Sequence, residues 1–349
     1  MGTKERQNGE KIGEKRKLTG GWRQLVTIGL SLFVGLGLFL LVYRKFDYEE
    51  FAEALRSTPI RYEYIVLTIL IGALGNVFRG LRWRLQMEAT SPPHARYATS
   101  ILATLGSYTV SLIVPRTGEI WRGGVAHSYD RIPIPRVAGT IVVDRVMDFV
   151  MLLVIALLSL LLCYRDLLEL VNVIPFKVPS VWTVIQSWGF WAVLVSCVLL
   201  FILLRKALRK KRFAKRVAAF KDDFVTAMKS VFTMPRKTLF LLYSLLIWLC
   251  YYWAFRLTFL AFPFTAELSS AIGLLAFIMG TLGVAVPVQA GIGTWHYMII
   301  TTLTVYGVTQ SDAALFALVV HALQTLGTIF VGLIAILLVP LLNKKKMIS

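Results

Sequence analysis

Three charged residues interrupt a long apolar stretch near the middle of the chain. Asp144, Arg145 and Asp148 lie within residues 138–163, which otherwise consist mainly of Leu, Ile and Val. Each such charge costs roughly 2.5–3.5 kcal/mol at the centre of a membrane helix, whereas each large aliphatic residue returns only about 0.3–0.6 kcal/mol. In a helix, Asp144 and Asp148 share one face, and Arg145 lies three positions before Asp148. These residues either form a structural ion pair near the cytoplasmic end of a span, or face a polar cavity and bind a cation from another helix.

A second charged group surrounds a predicted helix break. Pro115, Arg116, Gly118 and Glu119 lie close together and are followed by Arg122. Glu119 can pair with either arginine, which leaves the other guanidinium free. A free Arg beside unpaired backbone N–H groups is well suited to binding a phosphate. The alternative is an ordinary salt bridge in a cytoplasmic loop.

Other polar side chains occur singly in apolar stretches. Four arginines near the ends of such stretches are predicted to extend toward the membrane interface: Arg79, Arg82, Arg84 and Arg256. His296 and His321 lie in the second half of the chain. We include both histidines among the candidate head-group residues, although a hydrogen-bonded role in helix packing is the default for such groups.

Composition and motifs limit the kind of protein this can be. Of the 349 residues, 57% are hydrophobic and 16% are charged, which excludes a disordered chain and argues strongly against a water-soluble globule. The formal net charge of +19 is explained by the cytoplasmic edge of a membrane protein, so no nucleic-acid partner is expected. Cys163, Cys197 and Cys250 show no paired spacing. The sequence has none of the common hydrolase, metalloprotease or nucleotide-binding motifs, so we expect no catalytic residue, metal or cofactor.

The fold class predicted from hydropathy is an all-α polytopic membrane protein. Six apolar runs are long enough to span the bilayer: 24–43, 62–83, 138–163, 188–204, 238–262 and 313–340. Residues 45–57 are predicted to form a short amphipathic helix outside the membrane core. By the positive-inside rule, the basic segments 1–23, 205–237 and 343–349 are cytoplasmic, which places both termini inside.

Two further apolar stretches are too short or too interrupted to be simple spans. Residues 98–114 run into the break at Pro115, and residues 269–286 run into a second break at Pro287, Gly291 and Gly293. If each is a re-entrant helical hairpin, at about 98–130 and 269–307, every basic segment stays on the cytoplasmic side. The alternative is eight to nine full spans.

The two breaks resemble each other, which predicts an internal repeat. Residues 113–122 read I-V-P-R-T-G-E-I-W-R, and residues 285–296 read A-V-P-V-Q-A-G-I-G-T-W-H. The charge pattern predicts that the first hairpin enters from the cytoplasm and the second from outside. The membrane halves 24–204 and 238–342 would then form an inverted repeat, an arrangement in which transporters place substrate sites near the midplane.

The order of these motifs resembles the transmembrane region of lysylphosphatidylglycerol synthases and related stand-alone, flippase-like membrane proteins. The resemblance rests on P-R-T-G-E-I-W-R at 115–122, D-R-V-M-D at 144–148 and P-V-Q-A-G-I-G at 287–293. It implies a bacterial cytoplasmic (inner) membrane location and movement of phospholipid, or of modified lipid such as aminoacylated lipid, between leaflets. The family often has Pro-Gly and a following Glu in the second loop, where this chain has Gln289, Ala290 and His296.

The resemblance assigns hypothetical roles to residues of both halves. It covers six candidate head-group residues, namely Arg116, Glu119, Arg122, Asp144, Arg145 and Asp148, and the polar residues of the second half add His296 and His321. The expected partners are membrane lipids, anionic or aminoacylated. Since the chain lacks the soluble aminoacyl-transferase domain of the full-length synthases, we expect that it is not an enzyme. The alternative function is a non-transporting partner or regulator of a separate lipid-modifying or glycan-transferring enzyme.

Overall fold

A computed structural model of the chain describes five long stretches of residues. The described residues are 48–90, 95–114, 117–164, 232–286 and 288–342, with a few isolated positions outside these ranges. Within these ranges the secondary structure consists of ten α-helices and one 3-10 turn at Gln289–Gly291, with no strand. The chain is therefore an all-α membrane protein, as its hydropathy predicts.

The helices are numbered in chain order. They are α1 (Tyr48–Ser57), α2 (Tyr62–Thr90), α3 (Tyr97–Ile113), α4 (Gly118–Asp130), α5 (Ile134–Leu162), α6 (Lys237–Leu260), α7 (Pro263–Ala266), α8 (Ser270–Ala285), α9 (Thr294–Val305) and α10 (Gln310–Leu342). Helices α2, α5, α6 and α10 are long and apolar enough to cross a membrane. They coincide with four of the six predicted spans, and α1 forms where the amphipathic helix is predicted. The other two predicted spans, 24–43 and 188–204, lie almost entirely outside the described residues.

Helices α2 and α6 pack side by side along the centre of the molecule. A Cβ atom added at Gly75 of α2 would lie 2.9 Å from the ring of Tyr251 on α6, so only glycine permits this approach. Thr68 Oγ1 donates to the Ala254 carbonyl at 2.9 Å. Small residues and side-chain hydroxyls of this kind are the usual means of close helix packing in a membrane. The start of α2 is therefore fixed beside the end of α6.

Helices α3 and α4 form the first hairpin. Helix α3 ends at Ile113, two residues before Pro115, as expected for a chain approaching proline. A Cβ atom at Gly118 would lie 1.9 Å from the carbonyl oxygen of Ser107, and one at Gly106 would lie 2.5 Å from the ring of Trp121. The two arms therefore pack with almost no space between them.

Helices α8 and α9 form the second hairpin by the same means. A Cβ atom at Gly283 would lie 2.9 Å from the Cα atom of Trp295, and Thr294 Oγ1 donates to the Gly283 carbonyl at 2.7 Å. The break between the arms contains left-handed backbone at Ala290 (φ 53°) and at Gly291 (φ 72°). Gly291 adopts this conformation without strain because it has no Cβ atom, whereas at Ala290 the Cβ atom makes it unfavourable.

The two hairpins open toward opposite ends of the central helix pair. The first opens beside the end of α2, where Arg84 Nε donates to the carbonyl of Ala95, just before α3, at 2.9 Å. The second opens beside the end of α6, where Tyr252 Oη donates to the carbonyl of Ser270, at the start of α8, at 3.3 Å. Their closed ends meet, since Gln289 Nε2 donates to the Leu112 carbonyl at 2.5 Å. This geometry agrees with an inverted repeat, and whether each hairpin re-enters or crosses the bilayer stays a prediction.

Candidate functional site

Two aspartates of α5 form the centre of a buried charged cluster. Asp144 is fully buried, and its Oδ1 accepts hydrogen bonds from Arg82 Nε at 3.0 Å and Arg82 Nη2 at 2.5 Å. Asp148, one turn later, accepts from Arg82 Nη2 at 2.7 Å and also from Arg79 Nη1. The aspartates therefore bind two arginines supplied by another helix, α2.

The register of two antiparallel helices produces this arrangement. Arg79 and Arg82 are three positions apart on α2, so they lie on one face. Trp83 Nε1 donates to Thr140 Oγ1 of α5 at 3.0 Å, which fixes α5 against that face one turn before Asp144. Helix α6 contributes Ser244 Oγ, which accepts from Arg82 Nη1 at 3.2 Å. Arg82 thus has partners for all three of its nitrogens inside the protein.

Helix α4 of the first hairpin adds a third arginine. Arg122 is 2% exposed, and its Nη1 lies 3.3 Å from Asp144 Oδ2. Its guanidinium carbon lies 4.5 Å from the ring centroid of Trp83, a stacking geometry typical of a cation–π contact. Two of its nitrogens, Nε and Nη2, are buried without a hydrogen-bond partner. An unpaired buried N–H is costly, so this guanidinium retains unused capacity to donate.

A second salt bridge lies at the edge of the cluster. Arg145 of α5 donates to Glu119 in the first turn of α4, and both side chains are partly exposed. Arg145 Nη1 also lies 3.7 Å from Asp148 Oδ2, which matches their three-residue spacing. The pair joins the first hairpin to α5.

The charged cluster forms one end of a large cavity between the two halves. The cavity has a volume of about 670 Å³, within the range of roughly 300–1,000 Å³ typical of ligand pockets. Its polar lining consists mainly of Asn76, Arg79, Tyr108, Arg145, Asp148, Tyr251 and Gln324. Its apolar walls come from α2, α5, α6, α10 and both hairpins, and they include Phe149, Trp248, Phe277 and Trp295. The cavity is therefore amphipathic, with ionised groups at one end and hydrocarbon-like walls elsewhere.

Comparison with known proteins identifies the family to which this chain belongs. The family model described as "Lysylphosphatidylglycerol synthase TM region" matches residues 26–332. The chain belongs to this family. No curated protein and no solved structure matches it. The family relationship ties this membrane protein to lipid modification or lipid translocation. Helices α2, α5 and α6, both hairpins, the charged cluster and most of α10 lie within the matched residues.

Four arginines were expected to extend toward the membrane interface. This expectation is wrong for Arg79 and Arg82, the two that bind the aspartates of α5. Arg79 is 5% exposed and Arg82 is fully buried, because the carboxylates of α5 replace water as their partners. Arg84 lies outside the cluster, with Glu88 at 2.8 Å and its guanidinium over the Tyr97 ring. Arg256 turns to the Leu268 carbonyl, to which its Nη2 donates at 3.0 Å.

The predicted partner of Glu119 also differs. Glu119 was expected to pair with Arg116 or Arg122, but it pairs with Arg145, and Arg122 contacts Asp144 instead. The other candidate partner, Arg116, lies outside the described residues, as do Pro115 and Pro287. Gly118 lies where the two arms of the first hairpin touch, and Gly291 and Gly293 lie within the second break.

His296 and His321 lie together in the second half, away from the charged cluster. Their ring centroids are 4.6 Å apart, and both rings contact Trp295, which lines the cavity. His321 Nε2 lies 3.1 Å from the Ala290 carbonyl, and Gly293 N donates to His296 Nδ1 at 3.4 Å. The structure thus gives both histidines contacts that support the second break, and neither is part of the cavity lining.

Sequence reasoning missed several residues of the cavity. Tyr108 and Tyr251 lie at its charged end, where Tyr251 Oη accepts from Arg79 Nε at 3.2 Å and donates to Asn76 Oδ1 at 2.6 Å. The hydroxyl groups of the two tyrosines are 3.5 Å apart. One feature of the sequence does indicate this end of the cavity. Asn76 and Arg79 are three positions apart on an otherwise apolar helix, so both lie on one face.

Proposed function

We propose that this protein translocates phospholipid, or a modified phospholipid, between the leaflets of a membrane. The observation that carries the proposal is the amphipathic cavity, which combines an ionised end with apolar walls. A lipid head group needs polar partners during its passage, while its acyl chains remain in hydrocarbon. Membership in a lipid-linked family supports the same conclusion.

The lining of the cavity supports transport of a lipid rather than static binding of one. Residues of both halves line it, including Leu105 and Tyr108 of the first hairpin and Val284 and Ala285 of the second. Hairpins related by inverted topology offer two similar conformations that open to opposite sides, which is the basis of alternating access in many transporters. A change in how the hairpins pack would expose the charged end first to one leaflet and then to the other.

The experiment is lipid exchange in reconstituted vesicles. The full chain is inserted into phosphatidylcholine vesicles with trace fluorescent phospholipids of several head groups, and dithionite quenching measures how fast each label crosses. We expect protein-containing vesicles to exchange at least one label faster than empty vesicles. Equal exchange with and without protein for every head group would overturn the proposal.

A cavity-filling variant links that activity to the site. Gly72 lines the cavity, and a Cβ atom added there meets nothing within 4 Å, so Gly72→Leu fills space without a clash. If the added side chain weakens lipid binding by about 1.4 kcal/mol, we expect exchange to slow about tenfold. Gly124→Leu is the matched control, because Gly124 is also helical and unobstructed but lies on the exposed side of α4. Equal rates for both variants would place transport elsewhere.

A further inference from the structure

We infer that the cavity selects lipids whose head group is anionic and carries no ammonium group. This inference rests on the proposed function and specifies the substrate class of the same site. It separates this chain from a carrier of aminoacylated lipids, whose head groups present one or more cationic amines. The charged cluster contains carboxylate acceptors and N–H donors. The partners that these groups already have determine which head group fits the cavity.

Each carboxylate oxygen of Asp144 and Asp148 already faces an arginine. Asp144 Oδ1 accepts two bonds from Arg82, while its Oδ2 has Arg122 Nη1 at 3.3 Å and Arg79 Nη1 at 3.6 Å. Asp148 uses Oδ1 for Arg82 and Oδ2 for Arg79. A buried ammonium requires a carboxylate or several carbonyl partners. An ammonium bound here would share a carboxylate oxygen with an arginine, and the two positive charges would lie side by side.

Two residues in or beside the cavity have N–H donors that lack an acceptor. Trp248, which lines the cavity and is 7% exposed, has an unpaired buried Nε1, and Arg122, which lies outside the lining, has two unpaired buried nitrogens. Arg145 lines the same cavity, is about half exposed and can turn from Glu119 toward a ligand. Donors without acceptors are suited to a ligand rich in acceptor oxygens, such as a phosphodiester.

The charge balance favours the same class of ligand. The described cluster contains four arginines, namely Arg79, Arg82, Arg122 and Arg145. They face three carboxylates, those of Glu119, Asp144 and Asp148, which leaves a net charge of +1. One phosphodiester restores neutrality, whereas a lysylated head group adds further positive charge beside Arg79 and Arg145. Like charges in a site shielded from water suppress binding strongly.

Hydroxyl groups beside the arginines fit the rest of such a head group. Tyr108 and Tyr251 lie at the charged end, and Asn76 accepts from Tyr251 at 2.6 Å. Neutral donors and acceptors of this kind match the glycerol hydroxyls of phosphatidylglycerol. A phenol oxygen is a weaker hydrogen-bond partner for an ammonium than a carboxylate is.

The test compares head groups in the same vesicles and also in detergent. Full-length protein is reconstituted with trace fluorescent phosphatidylglycerol or lysylphosphatidylglycerol, and exchange rates are compared. Thermal stabilisation of the detergent-solubilised chain by each lipid is measured in parallel. We expect phosphatidylglycerol to cross roughly ten times faster or more, and to stabilise the chain at lower concentration.

The outcomes separate this inference from the proposed function. Exchange of lysylphosphatidylglycerol at an equal or higher rate would overturn the inference while leaving translocation intact. No exchange of any lipid, with selective stabilisation by phosphatidylglycerol, would overturn translocation while supporting the selectivity of the cavity. Stabilisation by neither lipid, or equally by both, would overturn the inference.

A charge-reversal variant tests the cause. Arg145→Glu changes the net charge of the cavity by two units at a partly exposed position, so the fold is expected to survive. We expect the ratio of phosphatidylglycerol to lysylphosphatidylglycerol exchange to fall about tenfold. Arg56→Glu makes the same change at an exposed position of α1 and serves as the control. An unchanged ratio in Arg145→Glu would contradict the charge argument.

Discussion

At the scale of residues, the main feature is a carboxylate shared by three arginines. Asp144 contacts Arg79, Arg82 and Arg122, which belong to two different helices. Removing one partner from such a group leaves charges buried without compensation, which costs far more than the group contributes as a whole. The ionised site and the fold are therefore interdependent at this position.

Replacing this carboxylate is expected to destabilise the protein. Asp144→Asn keeps the size of the side chain but leaves Arg82 and Arg122 without a full counter-charge, at a cost of about 3–5 kcal/mol. Thermal unfolding in detergent, followed by the loss of monodisperse protein, measures the effect. Glu53→Gln, at an exposed position of α1, removes one negative charge outside the cluster and is expected to change stability little. Equal unfolding temperatures for both variants would contradict a structural role for Asp144.

The sequence indicated most residues of the charged cluster but not the two arginines that α2 contributes. Asp144, Arg145 and Asp148 are conspicuous because charge is expensive within an apolar run. Arg79 and Arg82 lie near the end of a predicted span, where arginines commonly reach the interface, so their sequence position favours the wrong role. Only the rotation of α2 against α5 decides which way they face, and that rotation depends on contacts such as Trp83 with Thr140.

At the scale of helices, each hairpin depends on glycines where its arms touch. Gly118 and Gly283 both lie where a side chain would collide with the backbone of the opposite arm. The sequence predicted the positions of the breaks, since Pro and Gly interrupt helices strongly. It could not predict the closeness of the arms, because that depends on the pairing of residues far apart in the chain.

A single methyl group in the first hairpin is expected to separate its arms. Gly118→Ala places a Cβ atom 1.9 Å from the Ser107 carbonyl oxygen, so the arms must move apart at a cost of about 1–3 kcal/mol. Gly124→Ala, six residues later on the same helix, meets nothing within 4 Å and is expected to be neutral or to stabilise slightly. Unfolding temperatures of the two variants in detergent test the difference. A loss of stability in Gly124→Ala as large as that in Gly118→Ala would show that the close contact at Gly118 is not the cause.

At the scale of the whole molecule, the two hairpins open in opposite directions. The first opens beside the end of α2 and the second beside the end of α6, which lies next to the start of α2. The charge pattern of the sequence predicts that the two openings face opposite sides of the membrane, and this stays a prediction. It did not predict that the closed ends touch, because Gln289 and Leu112 belong to different halves and no local pattern connects them.

Cysteine accessibility is expected to report this inversion directly. In a chain without its three native cysteines, Ser128→Cys near the end of α4 and Glu267→Cys after α7 are both exposed. A membrane-impermeant maleimide should label position 128 only from the cytoplasmic side and position 267 only from the opposite side. Labelling of both variants after solubilisation is the control. Labelling of both positions from the same side would refute the inverted arrangement.

The contact made by Gln289 has a consequence for how the protein is assembled. Its amide satisfies the carbonyl groups of Ser111 and Leu112, which α3 leaves open at its final turn. In hydrocarbon, such groups must find a donor within the protein. The amino-terminal half therefore completes its own backbone hydrogen bonding only after the carboxy-terminal half has been synthesised and inserted, so the two halves mature together.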